Sequence, residues 1–262
     1  DRLTGDLSNL TVSGGFSLQS TLPSETISSS FQLTDQICGS FGGGFTTTGD
    51  IKPILGSWSQ GGGLNVFRRY GYPSKAQGNT AGGYIAGGLT ANGISTQIEH
   101  TELWNGSTWT EKGDLNSGRT DGAAAGTTTS AIYFGGHPTT ATTESWNGST
   151  WTEVNDLNTG RGYLAGSGTF PAGIAVGGYT PPGDRAQTET WNGTSWTEVN
   201  DLNTARRNLQ NIGTTTAALA FGGKTSGNVA NTESWNGTSW TEVNDLNASN
   251  AQEGGSGTQT SG

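Results

Sequence analysis

Methionine is absent from all 262 residues, and cysteine occurs once, at Cys38. A single thiol excludes an intramolecular disulfide and any metal site built on several cysteines. Its plain reading is a small buried hydrophobe. The lack of Met, position 1 included, reads as a processed chain or a portion of a longer one. Basic residues are few, 12 Lys and Arg against 21 Asp and Glu, for a net charge of −9. That balance disfavours a nucleic-acid or anionic-membrane surface. No apolar run approaches the roughly 18 residues that a bilayer-spanning helix requires, and no signal peptide is visible at the N-terminus. Helical periodicity is missing from every segment.

Glycine, by contrast, fills 45 positions, more than twice ordinary usage. The chain also carries nine Trp and eight Phe, which a disordered chain would lack. Glycine therefore serves tight turns in a β-rich protein.

The dominant signal is a repeat. Glu102-Leu103-Trp104-Asn105-Gly106-Ser107-Thr108-Trp109-Thr110-Glu111 recurs, with small changes, at 144–153, 189–198 and 233–242. The leading tryptophans are Trp104, Trp146, Trp191 and Trp235, spaced by 42, 45 and 44 residues. Such a period belongs to propellers and solenoids. The second tryptophans are Trp109, Trp151, Trp196 and Trp240. Each is followed by Leu-Asn (Leu115, Leu157, Leu202, Leu246) and then by Arg119, Arg161 or Arg206, with Asn250 in the last copy. Gly doublets follow at 135–136, 177–178 and 222–223. Upstream, Trp58, Leu64, Arg68 and the Gly87-Gly88 doublet keep the same order.

The expected organisation is a segment 1–25, serving as linker or closing strand, and one domain over 26–262. Its units are 26–65 (degenerate), 68–116, 119–158, 161–203, 206–247 and a partial 250–262. Each unit holds four short strands; in residues 119–158 these fall near 122–128, 131–134, 142–146 and 150–154. Asn-Gly between the last two is a strong hairpin signal, because both residues accept positive φ. Four strands in about 44 residues match one propeller blade.

On these residues the chain resembles the kelch family. Kelch repeats place a Gly doublet after the second strand, an aromatic in the third and Trp in the fourth; here these are Phe134-Gly135-Gly136, Trp146 and Trp151. The sequence departs in having Trp at the first aromatic and only four residues before the second. The Trp-Asn-Gly-x-x-Trp form is similar to repeats in virion and tail proteins of marine bacteriophages. The resemblance implies an all-β propeller of kelch-like four-stranded blades, six or seven when complete. It also implies a virion or extracellular location.

Chemistry is weighed against the repetition. Glu102, Glu144, Glu189 and Glu233 recur, whereas a catalytic carboxylate pair needs one singular environment. The arginines are expected to pair with Asp114, Asp156 or Asp201 and to pack between blades. The Asn-Asp pairs at 155–156, 200–201 and 244–245 are read as turn caps rather than Ca²⁺ ligands. Residues 145–151 are similar to a sialidase Asp-box turn, but with Asn for Asp and one residue fewer. Kelch-like copper oxidases need several His and Tyr ligands, and His100 and His137 lie in different copies. No cofactor and no metal site is expected.

Function is expected where copies differ, in the segments after the Gly doublets: 89–98, 137–142, 179–187 and 224–231. The candidate contact loop comprises His137, Tyr179, Pro181, Pro182, Asp184 and Arg185. Three functions remain open: a non-enzymatic virion appendage, such as a tail fibre, contacting a host surface or neighbouring subunits; a secreted or cell-surface carbohydrate-binding propeller; and a sialidase-like or oxidase-like enzyme. Expected partners are other virion or surface proteins and host glycans, without nucleic acid or membrane insertion, and an oligomer is compatible with all of them.

Overall fold

The computed structural model describes residues 63–66, 68–69, 77–79, 82–90, 96–251 and 258–259. All of them fall within one unit, Ser59–Gly262. Trp58, Cys38, the segment 1–25 and most of the degenerate unit 26–65 lie outside the described residues.

The described residues form strands and turns, with no helix among them. A short pair joins β1 (Arg68–Arg69) to β4 (Leu89–Thr90). Four four-stranded antiparallel sheets carry the rest. Sheet I holds β2 (Gln77–Asn79), β3 (Gly82–Ala86), β5 (Thr101–Trp104) and β6 (Trp109–Glu111). Sheet II holds β7 (Ala123–Gly126), β8 (Ala131–Phe134), β9 (Thr143–Trp146) and β10 (Trp151–Val154). Sheet III holds β11 (Ala165–Thr169), β12 (Ala172–Thr180), β13 (Gly183–Trp191) and β14 (Trp196–Val199). Sheet IV holds β15 (Gln210–Gly213), β16 (Ala218–Phe221), β17 (Thr232–Trp235) and β18 (Trp240–Glu242). Within each sheet the strands are hydrogen-bonded in chain order.

Three apolar seams join these sheets. Between I and II, Tyr84 and Ala86 meet Ala124, Tyr133, Trp146 and Trp151. Between II and III, Ala123, Ala125, Ile132 and Phe134 meet Ala175, Trp191 and Trp196. Between III and IV, Ala165, Ile174 and Val176 meet Ala218, Ala220, Trp235 and Trp240. The period-2 alternation of a strand sends neighbouring residues to opposite faces, so Ala123 and Ala124 serve different seams. Alanine and glycine on β7 and β11 let these first strands lie side by side, and Asn211 of β15 donates to Ser167 Oγ of β11 at 2.8 Å. A fully buried Trp removes roughly 200 Å² from water, about 5 kcal/mol as an upper bound. The seams therefore rest on the tryptophans.

The second tryptophans of sheets II, III and IV also pin each sheet to the preceding one. The indole N–H of Trp151 donates to Thr101 Oγ1 at 2.9 Å, that of Trp196 to Thr143 Oγ1 at 3.0 Å, and that of Trp240 to Thr188 Oγ1 at 2.9 Å. A buried donor needs such a partner.

The hairpin between third and fourth strands differs from the two-residue turn implied by Asn-Gly. Trp146 pairs with Trp151 across a four-residue loop. Gly148 alone takes positive φ, at 94°. Asn147 instead closes the loop with its side chain, Oδ1 accepting the N–H groups of Ser149 and Thr150 at 2.9 Å each. Asparagine commonly forms such local bonds to backbone.

Candidate functional site

Two populations of polar residues separate in the structure: those that recur in every copy and those that do not.

The recurring ones are consumed internally. Glu189 lies buried on β13, and its Oε2 accepts the backbone N–H of Asn158 at 2.7 Å and the Asn158 side-chain amide at 2.8 Å. Its Oε1 accepts from the buried Arg161 guanidinium. The arrangement repeats as Asn116–Arg119 on Glu144 and Asn203–Arg206 on Glu233, with Arg-to-Glu distances of 2.6 Å in both. Asn65 and Arg68 treat Glu102 likewise, the guanidinium at 3.2 Å. Burial alone would push the Glu102 carboxyl up, but the N–H groups of Asn65 and Val66, the Arg68 guanidinium and the Asn65 amide outweigh it and hold it below its usual value. With both oxygens occupied, these carboxylates face neither solvent nor each other.

The arginines thus pair with glutamates of their own copy, not with Asp114, Asp156 or Asp201. Those aspartates do a different job: their Oδ1 atoms accept the backbone N–H of Thr101, Thr143 and Thr188 at 3.4, 3.0 and 3.3 Å. The carboxylates are short and start from exposed residues beyond the fourth strand, so they bond to the nearby third strand instead of reaching the buried guanidinium. Asn155 and Asn200 donate to the carbonyls of Thr194 and Thr238 in the next sheet, each at 2.8 Å.

The variable residues gather elsewhere, at three register positions. One follows each Gly doublet: His137, Tyr179 and Lys224. The next follows each arginine: Thr120, Gly162 and Arg207. Isolated bridges join these two positions as Thr120 to His137, Gly162 to Tyr179 and Arg207 to Lys224. The third position holds Asp121, Tyr163 and Asn208, at φ values of 57°, 57° and 55°. Backbone bonds link these three across sheets, Tyr163 N–H to Asp121 carbonyl and Asn208 N–H to Tyr163 carbonyl, both at 2.8 Å. An identical backbone thus presents different side chains.

Those side chains meet. The Tyr163 ring lies 6.2 Å from His137 and 6.4 Å from Tyr179, edge-on to the latter. The Arg207 guanidinium sits over Tyr179 at 5.1 Å and pairs with Asp184. His137 is exposed, while Tyr163, Tyr179, Asp184 and Arg207 are half-buried. Asp121 is buried beside them in register; burial pushes its carboxyl up to about 7, against a bond from Thr120.

The proposed contact loop proves to be mostly strand. Residues 179–185 extend β12 and β13, with Gly178 opposite Arg185, Tyr179 opposite Asp184 and Thr180 opposite Gly183. Only Pro181 and Pro182 form the turn, exposed at its tip through a cis bond. Proline cannot donate to a ladder, which confines the pair to the tip. The flanking Tyr-Thr and Asp-Arg pairs can still zip together. Arg185 folds back, donating to the Thr180 carbonyl at 3.3 Å.

Of the expected contact residues, His137, Tyr179 and Asp184 join the cluster. Tyr163, Arg207 and Asp121 were not anticipated. Column-by-column comparison of the copies holds the signal, since Thr120-Asp121, Gly162-Tyr163 and Arg207-Asn208 differ directly after an otherwise repeated arginine. No protein-family model matches this chain, and no curated protein matches it at a significant level.

Proposed function

We propose that the chain is a kelch-like β-propeller acting as a non-enzymatic structural and interaction module, in a phage or viral virion appendage such as a tail fibre. The observation that carries this reading is the separation of the two polar populations. Groups that recur are spent on the scaffold, and groups that vary gather around Tyr163, Tyr179 and Arg207. Repetition of that kind builds a frame on which one region is free to diverge toward a partner.

Several features support a propeller of six or seven blades. The sheets are four-stranded, follow one another in register and meet through tryptophan seams. The register continues past the fourth sheet: Gly223 N–H donates to the Asn250 carbonyl at 2.7 Å, as Gly136 and Gly178 do to Arg161 and Arg206 at 3.0 and 2.9 Å. Gln259 then donates to Ser234 Oγ and the Trp235 carbonyl, each at 2.7 Å. An enzyme would need a singular acid–base pair, and the recurring carboxylates are occupied by Asn and Arg.

The aromatic cluster favours one second reading, a carbohydrate-binding propeller. Half-exposed Tyr rings and an exposed His ring beside an Arg–Asp pair offer the apolar and polar contacts that a sugar ring takes. The two readings separate by experiment. Particles of a parent virus should contain the chain at fixed stoichiometry, and the Tyr163→Ala, Tyr179→Ala double variant should lower attachment or assembly without changing Tm. Glycan-array binding by the isolated protein, lost in the same variant, would favour the carbohydrate reading. Unchanged attachment and assembly together with no glycan binding would remove this cluster as the contact site.

A further inference from the structure

One constellation is found in sheet I alone. Every sheet carries a Glu on its outer strand and an Asp three residues later: Glu111 and Asp114, Glu153 and Asp156, Glu198 and Asp201, Glu242 and Asp245. In each, Asp Oδ1 accepts the backbone N–H of a third-strand threonine, Thr101, Thr143, Thr188 or Thr232, which fixes the carboxylate and leaves Oδ2 available. The residue just before that threonine is Thr142 in sheet II, Gln187 in sheet III and Asn231 in sheet IV. In sheet I it is His100.

His100 Nδ1 lies 2.6 Å from Glu111 Oε1 and 3.7 Å from Asp114 Oδ2, and the three donor atoms all fall within 4.8 Å of one another. The side chains are between one-third and one-half exposed, so an ion can enter and water can complete its shell. Zinc bonds to imidazole and carboxylate of about 2.0–2.2 Å place tetrahedral ligands about 3.4 Å apart. The two measured edges bracket that separation. A small rotation of the exposed Glu111 side chain would even them out.

We infer that His100, Glu111 and Asp114 bind one divalent first-row transition cation of the zinc class. The single nitrogen donor selects this class over Ca²⁺ and Mg²⁺, which take oxygen ligands. Two carboxylates balance the dication, with the imidazole bound neutral through Nδ1.

Sheet IV supplies the control. There Asn231 donates its amide to Glu242 Oε1 at 2.9 Å, the same contact without a metal-ligating nitrogen. His100→Asn copies that contact into sheet I, so it should fold with unchanged Tm. The test is a Zn²⁺ titration of the tag-free full chain by calorimetry, with Co²⁺ absorbance as a second readout. Loss of even an outer-shell partner commonly weakens metal sites 10–100-fold. The wild type should bind one equivalent with saturation, and His100→Asn should bind at least tenfold more weakly. Glu153→Gln, at the matching carboxylate of sheet II, should bind as the wild type does. Absence of saturable binding below about millimolar Zn²⁺, or equal affinity in His100→Asn, would overturn the inference. So would loss of binding in His137→Asn instead.

Discussion

At the scale of single residues, the buried Arg–Glu pairs decide what the copies have in common. Arg161 and Glu189 have no solvent to fall back on, so removing one leaves the other charged and unpaired. Such a change costs about 3–5 kcal/mol. Arg161→Met should destabilise by that amount in chemical denaturation, whereas Glu198→Gln, on the exposed outer strand, should change stability by less than about 0.5 kcal/mol. Equal effects from the two would mean that the buried pair contributes nothing specific. Asp121 acts in the opposite direction. Folding raises its carboxyl from an ordinary 3.8 to about 7 through burial. The unfolded chain therefore releases this proton first as pH rises. The group's contribution to stability falls between about pH 4 and about pH 7 and then levels off. At about 1.4 kcal/mol per pH unit, the loss is at most about 4 kcal/mol. Asn tolerates the left-handed conformation here, as Asn208 does at φ 55°. Asp121→Asn should thus equal the wild type near pH 4 and exceed it in Tm near pH 8. A variant no more stable than wild type at pH 8 would contradict the buried, partly protonated carboxyl.

At the scale of elements, Trp151, Trp196 and Trp240 each join two sheets. Trp196 fills the seam between sheets II and III, stacks edge-on against Phe134 at 4.7 Å and donates to Thr143. Trp196→Ala should cost about 3–5 kcal/mol. Thr143→Val, which leaves the indole N–H buried without an acceptor, should cost about 1–3 kcal/mol. A Trp196→Ala cost below about 1 kcal/mol would mean that the ring is exposed and available to stack on a ligand. Strands and hairpins were legible in the sequence because they follow from local rules. The run 131–134 is β8 as expected, and the Trp spacing marks every third-to-fourth-strand hairpin. The partner of each arginine was not legible. Asp114 stands close to Arg119 along the chain, whereas Glu144 is 25 residues away, and only the burial of β9 selects the glutamate. The Pro181-Pro182 segment read as a loop because proline ends strands, although the residues beside it pair. The Tyr163–Tyr179–Arg207 cluster depends on bringing separate copies together, which no spacing within one copy reveals.

At the scale of the whole molecule, the account requires successive sheets to continue until no seam is left bare. A sheet cannot cover its own two faces, so neighbours must, and an open series would leave apolar faces and strand edges in water. The four described sheets follow a single repeat, and the register runs on through Asn250. A linear stack and a closed propeller share these local contacts but differ in global form. The most direct measurement is electron microscopy of the full-length protein, with class averages sorted by rotational pseudo-symmetry. A closed disc of six or seven similar blades is the expected result. An open arc or an extended stack of sheets would contradict the propeller.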